Sequence, residues 1–158
     1  MSYDISQAIE YYASIGVFRW RVSPSIRVSA GSLAGSVGGD GYWQIQYRGR
    51  KYIGHRLAWF LMTGVWPAGQ IDHRNGDKLD NRWCNLRLAS SSQNCANTRS
   101  RGFLPKGVTL HRQTGKYQAQ IKKGGKNFYL GLFESPIEAN AAYAQKAREL
   151  FGDFARSA

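Results

Sequence analysis

Alternating apolar and polar residues predict most of the strands in the first third of this chain. Residues 17–22 alternate apolar and basic side chains, and residues 41–47 alternate apolar and polar ones. A Gly-containing turn at 48–50 leads into a further short strand at 51–53, which predicts a β-hairpin. The Ser- and Gly-rich segment 23–41 contains a proline, and it predicts a loop.

Helical spacing of apolar residues occurs at three places along the chain. Residues 4–13 carry apolar side chains three and four positions apart, which predicts a short helix. Residues 55–63 predict a second helix, and Gly64 is placed to end it. A third helix is predicted over 135–151, because it opens with a Ser-x-x-Glu capping box and a proline in the first position.

Three more strands are predicted between the second and third helices, at 107–112, 117–122 and 127–133. Period-2 alternation gives them an apolar inner face, on which the third helix packs, and a polar outer face. The inner set is Val108, Leu110, Tyr117, Ala119, Ile121, Phe128 and Leu130. The outer set is Thr109, His111, Gln118, Gln120, Lys122, Asn127 and Tyr129. Such a mixture of donors and acceptors is suited to contacting base edges in a major groove.

Basic residues outnumber acidic ones, and the excess lies in one short segment. The formal net charge is +12 at pH 7, with a pI near 10.1. Residues 101–133 contain seven Lys or Arg and no Asp or Glu. This charge predicts a polyanionic partner. Without a basic amphipathic helix or an apolar stretch of membrane length, the composition favours a nucleic acid over a membrane. The motifs described below make double-stranded DNA the expected partner.

Cysteine and histidine residues are few and scattered. Cys84 and Cys95 form no Cys-x-x-Cys pair, so the sequence does not predict a structural zinc site. The N-terminus lacks the basic-then-apolar pattern of a signal peptide. We therefore expect a cytoplasmic protein with both thiols reduced.

The candidate chemistry lies in residues 71–97. A strand ending in Asp72 and His73 is followed by a loop rich in Asn, Gly and Asp, a second short strand and a Ser-capped helix that carries Asn94. Carboxylate and amide oxygens are hard ligands suited to Mg²⁺ or a similar cation, and a histidine that titrates near neutrality is suited to deprotonating water. We expect this scaffold to hold the three side chains around one point.

This segment resembles the HNH nucleases, which have a ββα-metal fold, and in particular their His-Asn-Asn branch of phage and homing endonucleases. The three family positions fall on His73, Asn85 and Asn94, and Asp72 is the acid that precedes the first histidine. The surrounding words that match are Ile71-Asp72-His73, Asp80-Asn81-Arg82 and Asn85-Leu86-Arg87. With a similar N-terminal extension, the resemblance covers roughly 16–99.

The resemblance implies metal-dependent hydrolysis of DNA phosphodiester bonds to 5′-phosphate and 3′-hydroxyl ends. Asp72 and Asn94 are expected to hold one divalent cation, Mg²⁺ or Mn²⁺, and His73 to act as the general base. Asn85 is expected to tie the loop together so that the histidine ring stays aimed. The cations expected to grip the DNA backbone are Arg74, Lys78, Arg82 and Arg87.

Residues 106–151 resemble the DNA-binding domain of plant ethylene-response factors (Apetala type), a three-stranded sheet backed by one helix. The matching words are Gly107-Val108, Gly115-Lys116-Tyr117, Ala119-Gln120-Ile121-Lys122, Tyr129-Leu130-Gly131-Leu132-Phe133 and Glu138-Ala139. The resemblance implies that the outer face of the sheet contacts DNA. Because several arginines usual in that family are missing here, its preferred base sequence does not transfer.

We therefore expect an α+β chain in which an N-terminal hairpin and helix region leads into a ββα-metal motif, followed by a three-stranded antiparallel sheet packed on one helix. The expected domains are a nuclease at 1–99, with its core at about 70–99, a hinge at 100–105 and a DNA-binding domain at 106–158. One active site per chain favours nicking by a monomer, whereas double-strand cleavage would need a DNA-assembled dimer. The tandem order indicates a phage or prophage protein that acts in the host cell.

Other interpretations stay open at this point. A non-catalytic DNA-binding regulator with a decayed nuclease module is one, although Asp72, His73 and Asn94 are all intact. An RNA-binding module would present aromatic stacking platforms, and on the outer sheet face only Tyr129 clearly qualifies. His55, at the start of the second predicted helix, is either a hydrogen-bonded structural histidine or a residue of the phosphate or metal shell.

Overall fold

The computed structural model describes residues 4–100 and 102–156, and its architecture is the predicted α+β mixture of small antiparallel sheets and helices. The chain divides into two compact units, Met1–Leu88 and Ala89–Ala158. Each unit has its own hydrophobic core. The α+β class predicted from the sequence is confirmed.

The division after Leu88 falls within the segment predicted as the nuclease domain. The predicted hinge at 100–105 includes Arg101, which lies outside the described residues. The functional boundaries at 1–99, 100–105 and 106–158 stay a prediction.

The N-terminal segment of the first unit begins as a helix but continues as a strand. Helix α1 spans only Ile5–Ala8, capped by Asp4, and strand β1 (Ile9–Tyr12) pairs antiparallel with β2 (Val17–Trp20). The predicted helix over 4–13 is therefore wrong in its second half. The residues of β1 pair with β2 instead, and this pairing overrides their helical spacing.

A second antiparallel sheet follows, in the order β3-β4-β5, with β3 at Ser36–Val37, β4 at Trp43–Tyr47 and β5 at Arg50–Ile53. The predicted hairpin is confirmed, and β3 is a short edge strand inside the segment predicted as a loop. Helix α2 (Gly54–Thr63) ends at Gly64, as predicted, and the φ of 78° at this residue is the left-handed conformation common at helix ends.

Strand β6 (Gln70–His73) pairs with β7 (Leu86–Ala89), and a 3₁₀ turn at Trp83–Asn85 precedes β7. Ile71 and Leu86, one from each strand, belong to the core of the first unit. The other members of that core are Ile5, Ala8, Ile9, Phe18, Trp20, Ala34, Ile45, Tyr47, Leu57 and Ala58. This packing fixes both strands of the β6–β7 hairpin.

The second unit begins with helix α3 (Ser91–Asn97), which has a complete capping box. Three antiparallel strands follow in the order β8-β9-β10, with β8 at Val108–His111, β9 at Lys116–Lys123 and β10 at Lys126–Phe133. Helix α4 (Pro136–Phe151) opens with the predicted Ser cap and proline. The predicted three-stranded sheet and its helix are confirmed.

The core of the second unit lies between the sheet, α4 and α3. Ile121 packs with Tyr143, Ala147 and Phe151 of α4, and Ala96 of α3 belongs to the same cluster. Ala139 and Ala147 of α4 are buried in these cores, and their small side chains let the helix lie close to the sheet. Among the residues that the structure describes, no helix is both long and apolar enough to span a membrane.

Candidate active site

Asp72 and His73 end strand β6, and both side chains are buried, with exposed fractions of 4% and 6%. The Oδ2 atom of Asp72 accepts a hydrogen bond from Nε of Arg87 at 2.8 Å. Arg87 lies on the paired strand β7 and is itself 8% exposed. The two opposite charges therefore compensate each other inside the unit. The sequence assigned Arg87 to the DNA backbone, whereas the structure places its guanidinium against the Asp72 carboxylate.

Asn85 closes the loop between β6 and β7 through its side-chain amide. Its Oδ1 accepts from the backbone N–H of Asn75 at 3.0 Å, and its Nδ2 donates to the Asn75 Oδ1 at 3.0 Å and to the Asp80 carbonyl at 2.8 Å. The backbone N–H of Arg74 donates to the Asn85 carbonyl at 2.9 Å. These contacts hold the start and the end of the loop together.

Aromatic rings and one amide surround the ring of His73. The His55 ring lies 5.0 Å from it, centroid to centroid, at an interplanar angle of 80°, and the Tyr42 ring lies 6.2 Å away. The Oδ1 of Asn81 is 3.5 Å from the His73 Nε2. Burial lowers the pKa of His73, and the contacts with Asn81 and Asp72 oppose that effect. The ring is therefore neutral at pH 7, the form that accepts a proton.

His55 lies in the first turn of α2 and is buried. Burial lowers its pKa to about 3, and the nearby His73 and Arg56 act in the same direction. The His55 ring packs edge-on against the His73 ring. Whether it has a purely structural role or belongs to a phosphate or metal shell stays a prediction.

The three other predicted cations of the loop are exposed. Lys78 donates from Nζ to the Asp40 carbonyl at 2.9 Å. Arg82 forms a two-point ion pair with Asp80, at 2.8 Å from Nε and 2.6 Å from the terminal nitrogen. These hydrogen bonds from Arg82 are the main cause that lowers the pKa of Asp80 to about 2. Two of these cations therefore hold the loop in shape, and Arg74 is exposed beside them.

Asn94 lies in the second unit, near the start of α3, and its side chain is half-buried. Its backbone N–H donates to the carbonyl of Ser90 at 2.9 Å, which is the first helical bond after the cap. The capping box between Ser90 and Gln93 fixes the helix start. At the other end of α3, Nζ of Lys106 donates to the carbonyls of Cys95, Ala96 and Thr98 at 2.7, 2.6 and 2.8 Å.

The strand register places all seven predicted outer residues on one face of the second unit's sheet. Thr109 pairs with Gln118, Gln120 with Tyr129, and Lys122 with Asn127, while His111 pairs with Lys116. Five of the seven are exposed, and His111 and Gln118 are half-buried. The shared face that the alternation predicted is confirmed.

A β-bulge changes the face beyond what alternation predicts. The register shifts between Tyr129 and Gly131, and Gly131 has a φ of 132°, which favours glycine. Leu132 consequently pairs with Gln118 and joins the outer face, where it is 39% exposed. On the inner side, Leu110 was expected to be covered but is 50% exposed. The glycine in the strand was the one sequence signal of the bulge.

Several cations of the basic segment are used within the second unit. Besides Lys106 at the end of α3, Lys123 donates to the Leu150 carbonyl at 2.6 Å, and Lys116 pairs with Glu134. Lys122, in contrast, extends from the outer face of the sheet and is exposed. The formal charge of the segment therefore overstates the cationic character of that face.

Asn81 and Tyr42 both lie near His73. The sequence predicted no part in the candidate chemistry for either residue. Asn81 is 2% exposed although it lies in a polar loop. Nothing in the local sequence indicates that burial, because an Asn between Asp and Arg is typical of an exposed turn.

The donor atoms suit a hard divalent cation. A buried carboxylate held in place by an arginine, and an amide oxygen on the following helix, are oxygen ligands of the kind that Mg²⁺ and Mn²⁺ prefer. Within residues 4–100 and 102–156, no three His, Cys, Asp or Glu side chains group as a metal site. The predicted ligands are the carboxylate of Asp72 and the amide of Asn94, and asparagine is not one of those four residue types.

Comparison with known proteins points to the same segment. Residues 52–96 match the model of a family described as HNH endonuclease. The match begins in β5 and includes Asp72, His73, Asn85 and Asn94. It supports an HNH endonuclease domain in this part of the chain.

Two individual proteins are similar to this chain. An uncharacterised HNH endonuclease of Acanthamoeba polyphaga mimivirus is 33% identical over 121 residues, which are 75% of this chain and 63% of that protein. The chain thus spans somewhat less than two thirds of the length of this relative. The HNH homing endonuclease I-HmuI, described for its DNA binding and cleavage, is 23% identical with a TM-score of 0.45, over 96% of this chain and 84% of that one.

Proposed function

We propose that this protein is a metal-dependent DNA endonuclease that hydrolyses phosphodiester bonds to 5′-phosphate and 3′-hydroxyl ends. The observation that carries the proposal is the buried Asp72–His73 pair at the end of β6, inside the segment that matches the HNH endonuclease family. A buried carboxylate beside a buried neutral histidine costs stability, and such groups are typical of functional sites.

In this proposal His73 takes the proton from the attacking water. Its lowered pKa keeps the ring in the accepting form at neutral pH. Asn85 holds the loop that flanks the ring, through its contacts with Asn75 and Asp80. The loop geometry supports this orienting role for Asn85.

Asp72 and Asn94 are the residues proposed to hold the divalent cation, Mg²⁺ or Mn²⁺. When bound, the cation supplies Lewis-acid stabilisation of the charge that develops on the 3′ leaving oxygen. Arg87 fixes the direction of the Asp72 carboxylate through its 2.8 Å hydrogen bond, so we assign it to orienting this ligand and not to gripping the DNA backbone. Asn94 enters the proposal through its position in the family pattern and its place on a capped helix.

The DNA-binding part of the proposal rests on exposed polar side chains. On the outer face of the second unit's sheet, Lys122 supplies charge, while Gln120 and Asn127 supply donors and acceptors for base edges. In the first unit, Arg74, Lys78 and Arg82 are exposed beside the loop and are proposed to contact phosphates.

A supercoiled-plasmid assay with Mg²⁺, Mn²⁺ or EDTA tests the activity. We expect metal-dependent conversion to open circles or linear DNA, abolished by EDTA, by His73→Ala and by Asp72→Asn. Glu149→Gln, which removes an exposed carboxylate from α4, is the matched control and should cleave like the wild type. Open circles would indicate nicking of one strand, and linear DNA cleavage of both strands.

The same assay distinguishes the non-catalytic alternative. If the wild type retains DNA in a salt-sensitive manner but converts no plasmid with either metal, the protein is a DNA-binding regulator with an inactive nuclease module. If it neither retains nor cleaves DNA, both hypotheses fail.

A further inference from the structure

The first unit contains a sheet and a helix arranged like those of the second unit. In the second unit, β9 lies between β8 and β10, and α4, which follows β10, packs on one face of the sheet. In the first unit, β4 lies between β3 and β5, and α2 comes directly after β5. Ile45 of β4 shares a core with Leu57 and Ala58 of α2. Both units therefore back a three-stranded antiparallel sheet with the helix that follows it.

The central strands of the two sheets also share a sequence pattern. Strand β4 reads Trp43-Gln44-Ile45-Gln46-Tyr47, and β9 contains Tyr117-Gln118-Ala119-Gln120-Ile121. In both strands two glutamines alternate with residues that pack in the hydrophobic core. Alternation places the glutamines on the face that points away from the helix. The outer face of the second sheet therefore has a counterpart in the first unit.

Register and exposure define this counterpart. Gln46 pairs with Lys51, and Ser36 pairs with Gln44. Ser36, Gln46 and Lys51 are exposed and Gln44 is half-buried, whereas Ile45, between the two glutamines, has no exposed surface. The first-unit face consists of Ser36, Gln44, Gln46 and Lys51.

A groove of about 420 Å³ lies on the first-unit face. All four residues of the face line it, and Val28 and Leu33 from the preceding loop add apolar surface. Among the residues that the structure describes, no group forms a hydrogen bond or ion pair with the side chain of Gln46 or of Lys51. A glutamine amide offers both a donor and an acceptor, and a lysine offers a positive charge with three donors. The groove thus presents polar groups that are available to a ligand.

Charge identifies the class of ligand. Residues 17–53 contain six Lys or Arg and one acidic residue, Asp40. The Asp40 carboxylate accepts hydrogen bonds from Nε2 of Gln44 at 2.7 Å and from the backbone N–H of Tyr42 at 3.2 Å. A carboxylate held in this way offsets only one of the six cations. A polyanion whose groove edges carry hydrogen-bond donors and acceptors matches such a surface, and double-stranded DNA is a polyanion of this kind.

Asp40 also connects the first-unit face with the candidate active site. Lys78, in the loop between β6 and β7, donates to the Asp40 carbonyl at 2.9 Å, and its Nζ lies 4.5 Å from the centroid of the Tyr42 ring. The Tyr42 ring in turn lies 6.2 Å from the ring of His73. DNA held on the face would therefore lie next to the candidate active site of the same unit.

We propose that the first-unit face is a second contact surface for double-stranded DNA, on which Lys51 binds a phosphate and Gln46 contacts a base edge. None of the residues assigned to DNA above belongs to this face. Its purpose, to hold the duplex beside the candidate active site, rests on the proposed function, whereas the binding itself does not require cleavage.

Nuclear magnetic resonance locates the contact on the metal-free full chain. A short DNA duplex of mixed sequence is titrated, in EDTA, into the ¹⁵N-labelled protein. We expect the side-chain amide signals of Gln46 and the backbone signal of Lys51 to shift, together with signals from the second unit's sheet. Signals that shift only in the second unit overturn the proposal, because the DNA then does not touch the first-unit face.

Salt dependence tests the phosphate contact. In fluorescence anisotropy with the same duplex, Lys51→Met should reduce the slope of log affinity against log salt by about 1, and Lys51→Arg should retain the wild-type slope. Arg21→Met is the matched control, because Arg21 is exposed in the same unit but lines a separate hollow with Glu10 and Met62. A wild-type slope in Lys51→Met, or an equal reduction in Arg21→Met, overturns the proposal.

The plasmid assay separates this proposal from the proposed function. If the duplex shifts the Gln46 signals but the wild type converts no plasmid, the nuclease fails and the first-unit face stands. If the wild type cleaves plasmid while Lys51→Met keeps the wild-type slope and the Gln46 signals do not move, the face fails and the nuclease stands. A wild type that binds no duplex overturns both.

Discussion

The two units place their polar side chains in opposite ways. Of the seven buried polar or charged residues in the described chain, six belong to the first unit, namely His55, Asp72, His73, Asn81, Asn85 and Arg87. The second unit displays its polar residues on the exposed face of a sheet. Buried polar groups are costly and need partners, whereas exposed ones need none. The first unit thus holds its polar side chains in one arrangement, and the second leaves them exposed, where the proposed contact with DNA would be made.

This difference predicts how each unit responds to substitution. Changes inside the first unit should cost stability and activity together, because its polar residues hold one another in place. Changes on the sheet of the second unit should alter DNA binding at little cost in stability. The experiments below probe that contrast, beginning with the substitution expected to cost most.

Arg87→Met removes the guanidinium that faces the buried carboxylate of Asp72. Leaving a charge buried without its opposite is strongly destabilising, so we expect a loss of about 3–5 kcal/mol in the free energy of unfolding, measured with urea. Lys146→Met breaks an ion pair with Glu149 in which the two side chains are 33% and 50% exposed, and it should cost less than about 1 kcal/mol. Equal losses for the two variants would contradict the contrast between buried and exposed pairs.

Lys106→Met tests a half-buried contact within the second unit. Its Nζ donates to three carbonyls at the end of α3, and burial lowers its pKa. Losing charged hydrogen bonds of this kind should cost about 2 kcal/mol and raise amide hydrogen exchange throughout α3. Lys126→Met, at the exposed first residue of β10, is the control and should leave exchange in α3 unchanged.

Acid should weaken the first unit through its buried histidines. His55 has a pKa of about 3 in the folded chain and an ordinary value of 6.5 when unfolded. Below pH 6.5 the unfolded chain therefore binds a proton that the folded chain excludes, and the free energy of unfolding falls by about 1.4 kcal/mol per pH unit until about pH 3. His73 shifts in the same direction.

The histidine responsible can be identified by substitution. His55→Phe keeps a buried ring without a titrating group, so urea unfolding between pH 7 and 4 should show a shallower fall than in the wild type. His111→Phe, on the half-exposed end of the sheet, should retain the wild-type slope. An unchanged slope in His55→Phe would assign the acid sensitivity to other groups.

The sequence predicted those parts of the fold that local patterns control. The hairpin of β4 and β5, the end of α2 at Gly64, the sheet of the second unit and the cap of α4 follow from alternation, helical spacing and turn residues. The N-terminal helix was wrong after Ala8, because pairing with β2 outweighs the helical spacing of Ile9 and Tyr12. The local pattern gave a wrong prediction there because the strand that pairs with β1 lies outside the segment that shows the pattern.

For the candidate site, too, some features were predicted from the sequence and others were not. Asp72 and His73 were predicted from their residue types, and Asn85 from the resemblance to the HNH nucleases; their roles stay a prediction. The Arg87–Asp72 pair and the burial of Asn81 were not found, since both depend on which side chains the tertiary fold brings together. A residue that orients a catalytic group has no required spacing from it, and only the folded structure reveals it.

Lys122→Met and Gln120→Ala test the difference between the two units on the exposed sheet face of the second unit. Both side chains are exposed on the outer face, so each variant should change the free energy of unfolding by no more than about 0.5 kcal/mol. If the face binds DNA as proposed, Lys122→Met should reduce the slope of log affinity against log salt by about 1, because one phosphate contact is lost. Gln120→Ala should leave that slope unchanged and relax the preference at one base position, by about 1–3 kcal/mol.

The matched control for this face is Lys146→Met, which removes a lysine from α4, the helix packed on the opposite side of the same sheet. It should alter neither the salt dependence nor the base preference. If it reduces the salt slope as much as Lys122→Met does, DNA is attracted by the overall positive charge of the unit and not held on the outer face. If Gln120→Ala behaves like Lys122→Met, the sheet contacts the DNA backbone without discriminating between bases, and the specificity of the protein must come from the first unit.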